Sequence, residues 1–473
     1  MIKRHRTRRA QFAIFLVILI IIAIITQWLD ISIVTRSLQS RFLLQDSPHI
    51  YSQEFDCSLN CSQISHVITS TNNPSDNACP EYFKWIHEDL RPWKNTGITR
   101  ETVEKAKSVA HIRIIIVNGR LYTEKYKKVF QTRDIVTIWG FLQLLRLYPG
   151  KIPDLDLMLE CGDKPVIRKL DYGGSNAIPP LFHFCGDGFS YDIVLPDWSF
   201  WGPEVNIKPW EELKEDIKEG NEQIRWKNRK PYAYWKGNSK LGAARADMIK
   251  CNASDSEGQD WKARLFGMDW HEEKKTGFKS SDLASQCTYR YKIYVEGVSW
   301  SVSQKYILAC DSMTLIVRPR FHDFFTRSLL PLIHYWPINE KNKCGSIKFA
   351  VEWGNKYSDK AQEIGKAGSK FIQEELAMEY VYDYTFHILN EYAKLLKYKP
   401  TVPKGAVETC SESLVCSVRG QKRRFFTHSM VKNPSDTLPC HLPPFYKPSD
   451  LRDFIERKEK LTKRVVSWEI SEI

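Results

Sequence analysis

The sequence predicts an α/β fold made of two Rossmann-like halves facing across a cleft, and three stretches carry that expectation. Ile112 to Val117 is a near-continuous apolar run suited to a buried parallel strand. A predicted helix over Asp134 to Leu147 follows, with Ile135, Ile138, Trp139, Leu142 and Leu145 on one face, and then Leu155, Leu157 and Leu159 alternate with Asp154, Asp156 and Met158 as a second strand. Together these read as one βαβ unit. The second half starts with a strand at Tyr232 to Trp235, a turn at Gly237 and a helix near Ala243 to Lys250. It continues as strand (Tyr291 to Glu296), polar turn (Gly297 to Ser301), helix (Val302 to Ala309) and strand (Met313 to Val317).

With 473 residues and 42% hydrophobic content, the chain is long enough for two or three domains. Phe12 to Ile25 is unbroken apolar sequence, and Thr26 to Leu29 extend it to about the length that crosses a thin bilayer. Lys3, Arg4, Arg6, Arg8 and Arg9 precede it, and basic flanks stay in the cytoplasm. The expected arrangement is a cytoplasmic tail (1–11), a transmembrane signal anchor (12–29), a polar stem (30–78) and a luminal body, that is, a type II membrane protein. The rival is a cleaved signal peptide, but no small-x-small cleavage site follows the run. Within the body, 79–205 and 206–360 are read as the two halves. An amphipathic helical segment over Ala361 to Leu396 is expected to cross back (361–400), and 401–473 reads as a tail.

The net charge of +13 and pI near 9.0 could suggest a nucleic-acid partner, yet a luminal body does not meet one. A lumen also accounts for twelve cysteines, because disulfides persist there. Cys161 with Cys185 is one plausible pair; Cys57, Cys61, Cys79, Cys410, Cys416 and Cys440 could pair in several ways, and Cys251 and Cys344 are left open. Asn60-Cys-Ser and Asn252-Ala-Ser are glycosylation acceptor triplets that fit the same compartment.

Ligands gather beyond the carboxyl ends of strands in open α/β sheets, and a helix start placed there suits a phosphate. The turn before Gln304 is such a place. Asp163, just after the strand Leu155 to Leu159 and next to Gly162, is another, and its carboxylate could act as a general base. Asp154-Leu-Asp156 invites a metal-site reading. Both carboxylates, however, leave one face at the start of the strand, away from the ligand end, so a solvated face is expected and no divalent metal is required. Trp198, Trp201 and Trp210 form an aromatic-rich turn that could stack on a sugar or simply be core.

Four ordered stretches go further: CPEYFKWIHEDLRPW (Cys79 to Trp93), DWSFWGPEVNIKPW (Asp197 to Trp210), YAYWKGN (Tyr232 to Asn238) and VEGVSWSVSQKYILACDS with FFTRSLLPLIHYWPI, from Val295 to Ile338. They resemble the Rumi-type protein O-glucosyltransferases within the capsule-associated glycosyltransferases, in wording nearest the plant-like branch. The resemblance implies a GT-B arrangement and an inverting, metal-independent O-glycosyltransferase. Its donor substrate would be UDP-glucose or UDP-xylose, with no cofactor, and its acceptor a hydroxyl of a glycoprotein or wall polysaccharide. It maps the base onto Asp163, with Arg133 and Gly162 on the acceptor side. Donor contacts fall on Trp210, Asn238, Arg245, Val298, Ser299, Trp300, Ser301, Val302 and Ser303, and Cys287 and Cys310 match a bridged pair. Two departures stand out: the family's Arg before the catalytic Asp is Gly162 here, and an Arg of the animal enzymes is Ser303. The retained anchor and an end without a KDEL-like signal point to the Golgi membrane, with the endoplasmic reticulum as the alternative. The alternative function is a catalytically degenerate, membrane-tethered glycan-binding or scaffolding protein of the same fold.

Overall fold

Backbone direction distinguishes the two sheets of this computed structural model, which describes Cys57, Cys61, Asn73, Ser75 and residues 77–173, 178–252 and 258–471. The strands are β1 (Ile112–Val117), β2 (Arg120–Lys125), β3 (Leu155–Leu159), β4 (Phe182–His183), β5 (Gly186–Asp187), β6 (Ile193–Val194), β7 (Lys230–Gly237), β8 (Ala263–Gly267), β9 (Tyr289–Tyr294), β10 (Met313–Val317), β11 (Phe321–His322), β12 (Trp336–Ile338) and β13 (Val407–Thr409). One sheet runs β13-β2-β1-β3-β4-β6, the other β12-β10-β9-β7-β8, and β11 pairs β5 as a short ribbon. The expected cytoplasmic tail, anchor and most of the stem lie outside the described residues. Among the described residues no helix is long and apolar enough to cross a membrane.

The first sheet corrects the βαβ expectation. β1 is antiparallel to β3, with Ile112 opposite Leu159. The cause is a hairpin that the apolar pattern hid: Asn118 and Gly119 both take positive φ (51° and 73°), the two-residue turn that folds β2 back on β1. Parallel pairing starts only at β3, through β4 to β6. The apolar run of β1 therefore reports burial on both faces, not strand direction.

Helix Arg133–Leu147 is buried nearly all round rather than along one stripe. Its outer side is covered by the segment expected to be a tail. Phe426 stacks on Trp139 with ring centroids 4.6 Å apart, Arg146 pairs with Glu412 at 2.9 Å, and β13 extends the sheet beyond β2. Disulfides Cys57–Cys416, Cys61–Cys410 and Cys79–Cys440 bind that segment to the start of the body. The helix Pro448–Ser471 then reaches the second sheet, where Trp468 packs beside Trp353 and Trp336.

The second sheet is parallel throughout. Its core joins Ala233, Leu265, Ile293 and Leu315 to Ile347, Val351 and Ile364 of the covering helices. Cys287–Cys310 is bridged, and so is Cys251–Cys344. The long helix expected over Ala361 to Leu396 is interrupted: Ser358–Lys370 passes through a π-turn at Phe371–Glu375, and Met378–Leu395 starts afresh. At the break the Leu376 carbonyl accepts the Trp210 indole N–H at 2.7 Å. Helix Met378–Leu395 packs on the first sheet, where the Tyr392 hydroxyl meets the Asp156 carbonyl at 3.0 Å.

Candidate active site

Two turns at the carboxyl ends of β7 and β9 touch through their backbones. A Cβ on Gly242, which has φ 85°, would lie 2.2 Å from the Gly297 carbonyl, so only glycine allows this approach. Arg245 projects from the helix Ala243–Met248 into the angle between the turns and is only 8% exposed. Its guanidinium donates to Ser301 Oγ at 3.1 Å and, at 3.4 Å, to the carbonyls of Asn238 and Val295. Among the described residues no carboxylate pairs with it, its Nε is unpartnered, and burial pulls its pKa below the usual arginine value. The Ser301 and Ser303 hydroxyls lie 2.9 Å apart beside it. Asn238, Arg245, Ser301, Val302 and Ser303 thus line one cavity, together with the rings of Tyr234 and Trp270.

The remaining donor candidates lie elsewhere. Trp210 is fully buried with its N–H committed to Leu376, which removes it from the cleft wall. Trp300 is core as well, packed against His183, Phe184 and Trp198 at 5.9–6.2 Å. Ser299 is buried, its carbonyl accepting from Gly297 N at 3.0 Å, and Val298 faces solvent. Sequence alone does not separate an aromatic ligand wall from an aromatic core.

Asp163 is half-exposed, and buried Arg133 donates to its Oδ1 at 3.0 Å and to the Cys161 carbonyl at 3.2 Å. The Arg133 guanidinium lies 4.2 Å above the Trp198 ring, and Trp198 meets Trp300. Three successive contacts therefore join the carboxylate to the turn that holds Ser301. The expected Cys161–Cys185 bridge is absent: both thiols are free and buried, and Cys185 Sγ instead donates to the Asp163 carbonyl at 3.3 Å. Burial raises both thiol pKa values well above the ordinary one. Gly162 gives its N–H to Glu160, whose carboxylate is 2.7 Å from His183 Nε2. Sequence reading missed Glu160 and His183. The available signal was a charge closing the apolar strand two residues before Gly162.

Asp156, expected on a solvated face, is fully buried, gripped by both Nε and Nη2 of Arg113 at 2.7 Å. Asp154 accepts the Asn118 N–H of the hairpin at 2.8 Å. Among the described residues the side chains close enough to share a metal ion are Cys79, His387 and Cys440, and two of these are spent in a disulfide. Asn252 is half-buried, and its side-chain amide pairs with the Leu265 backbone in both directions, so a glycan would share the amide with that contact. Asn60 lies outside the described residues.

Sequence comparison covers nearly the whole described body. The family described as Glycosyl transferase family 90 matches residues 74–469. Human "Protein O-glucosyltransferase 1" is 28% identical over 362 residues, covering 72% of this chain and 87% of that protein. "O-glucosyltransferase rumi" of Drosophila melanogaster is 26% identical over 343 residues, covering 70% and 80%.

Proposed function

Because the chain belongs to glycosyl transferase family 90, we propose that it transfers glucose or xylose from a UDP-sugar to a hydroxyl of a glycoprotein or wall polysaccharide. On this reading it works in the Golgi lumen, with inversion and without a divalent metal. The two sheets are the two lobes of a GT-B arrangement, and the cavity beside Arg245 is the donor site. The rings of Tyr234 and Trp270 suit a flat base such as uracil. The observation that carries the reading is the buried Arg245, a cation with no carboxylate, beside two hydroxyls that face the same space. A buried charge of that kind calls for an anion, and a guanidinium fork fits a diphosphate.

The transfer follows from these groups. Asp163 takes the acceptor hydroxyl proton as its oxygen bonds to the anomeric carbon. The bond from that carbon to the diphosphate breaks on the opposite face, and UDP leaves with the electron pair. Arg245, Ser301 and Ser303 meet the growing charge, a contribution on the order of 10²–10³ in rate for one well-placed donor. Arg133 orients the base.

Asp163→Asn should abolish transfer while UDP still binds by calorimetry, and Arg245→Met should weaken UDP binding itself. Full activity in Asp163→Asn would remove that residue from its role. The second reading, a degenerate glycan-binding protein, draws on Ser303, where the animal enzymes carry a positive charge. Absence of any UDP binding by the wild-type protein would favour it.

A further inference from the structure

The loop that carries Asp163 is fixed by a buried network for which the proposed mechanism has no other use. Glu160 is only 7% exposed, and His183 is not exposed at all. Glu160 Oε2 accepts the Gly162 N–H at 2.7 Å and lies 2.7 Å from His183 Nε2, while Oε1 is 3.1 Å from His111 Nδ1. His183 Nδ1 meets the backbone of Cys185, at 3.0 Å from its O and 3.1 Å from its N, and the Cys185 thiol holds the Asp163 carbonyl. Burial pulls the Glu160 pKa up, but His183 and the Gly162 amide outweigh that, leaving it below the ordinary carboxylate value. The network is therefore charged as well as buried.

Residue 162 shows what the network does. A Cβ there would stand 2.6 Å from Glu160 Oε1. The tip of a free glutamate would swing aside, but this one is buried, with the Gly162 N–H on Oε2 and the rings of His183 and His111 within 3.1 Å of its two oxygens. A side chain at 162 must push Oε1 away from His111 and crowd Oε2.

We propose that Glu160 and His183 are positioning residues for Asp163, and that the Glu160 carboxylate fills the space a side chain at 162 would need, which leaves Arg133 as the cation at the base. This rests on Asp163 being the base. It also explains the glycine: Glu160 and Gly162 form one unit, and the charge that the family places at 162 is supplied by Arg133 from the start of helix Arg133–Leu147.

The test is a double-mutant cycle read by UDP release from UDP-glucose and UDP-xylose, with UDP affinity measured by calorimetry as the folding control. Gly162→Ala alone should lower kcat about a hundredfold, the scale of an ångström-sized misplacement of a reacting group, with donor KM and UDP affinity unchanged. Once Glu160→Ala has lowered kcat, adding Gly162→Ala should cost less than about threefold more, because the two sites are coupled. His183→Gln, which keeps a donor toward Glu160, should retain most activity, and His183→Leu should not. Independent, multiplicative losses in the cycle would overturn the proposal, as would losses matched by weaker UDP binding. If Glu160→Ala does not fold, the shorter Glu160→Asp, which draws the carboxylate back from residue 162, serves in its place, with the same requirement of non-additivity. The two readings separate at Asp163→Asn: an active Asp163→Asn defeats the base assignment, whereas an inactive one with an additive cycle defeats only the positioning role.

Discussion

The two sheets handle buried charge in opposite ways. In the first, Arg113 and Asp156 face each other across β1 and β3 in a bidentate pair, supported by the Tyr398 hydroxyl at 2.9 Å. In the second, Lys292 on β9 is as deeply buried, yet among the described residues its amine makes one hydrogen-bond contact, with Cys310 Sγ at 3.2 Å. The staples differ too. Disulfides of the first half join positions 349 to 361 residues apart, while those of the second join positions 93 and 23 apart. The first half is held by specific pairings between distant parts of the chain, and the second mainly by apolar contact between neighbouring strands and helices. That contrast makes the first half the more fragile to single substitutions.

The sharpest break should come from Asp156→Ala. It leaves a guanidinium that is 3% exposed without its main partner, and losing one member of a buried pair costs about 3–5 kcal/mol. Denaturant titration should show that loss, and Asp156→Leu with Arg113→Met should recover most of it. Recovery failing in the double variant would mean that the pair does more than satisfy itself. Next in size is Cys79→Ser with Cys440→Ser. Cys61–Cys410 is nested inside Cys57–Cys416, and Cys79–Cys440 overlaps both, so with the other two in place each bridge closes only a short remaining loop; removing one should cost about 2–4 kcal/mol, and removing all three should free the C-terminal segment. Limited proteolysis between 411 and 447 would register the release.

How much of this was legible follows from the same contrast. Residues 313–317 and the strand–turn–helix order before them could be read directly, because a covered parallel strand is an apolar run and its turn is polar. The bounds of β1 and β3 were equally plain, but their relative direction was not: β1, buried on both faces, lacks the alternation that marks an antiparallel strand, and the alternation in β3 alone does not fix its direction. Asn118-Gly119 was the missing clue. At the site, Asn238, Arg245 and Ser301 were reached through resemblance, and the structure brings them to one cavity. The network of Glu160 and His183 was hidden because it exists only once β3 and β4 are side by side. The C-terminal segment looked like a tail because its buried anchors, Val415, Phe425, Phe426, Met430, Cys440 and Val465, are scattered through polar sequence.

The second sheet should respond to Lys292 in the opposite sense. Burial, aided by Arg229 nearby, lowers its pKa to about 7. Between that value and the ordinary 10.5 the unfolded chain holds a proton that the folded one has lost, so this group makes stability rise with pH across the window. Lys292→Met should raise stability at neutral pH by about 1–3 kcal/mol and flatten the alkaline limb. A loss of stability would show that the Cys310 contact matters more than the buried amine costs.

The smallest effect sharpens the comparison from the acid side. Glu296, just past β9, is 8% exposed, and burial raises its pKa to about 7 despite the Arg320 and Phe321 amides that donate to it. Here the folded chain keeps a proton that the unfolded one has released above about 4.5, so stability is fully present below that value and falls as pH rises toward 7. Asp323, raised to about 7, and Asp383, raised to about 6, act in the same direction. Glu296→Gln mimics the protonated form and should remove only its own share, a change of at most about 2 kcal/mol between pH 5 and 7, at about 1.4 kcal/mol for each unit of pKa. Thermal unfolding across that range measures it. If the slope steepens instead, the two amides are stabilising a carboxylate already charged in the fold, and the second sheet tolerates buried charge better than the contrast with Arg113 and Asp156 allows.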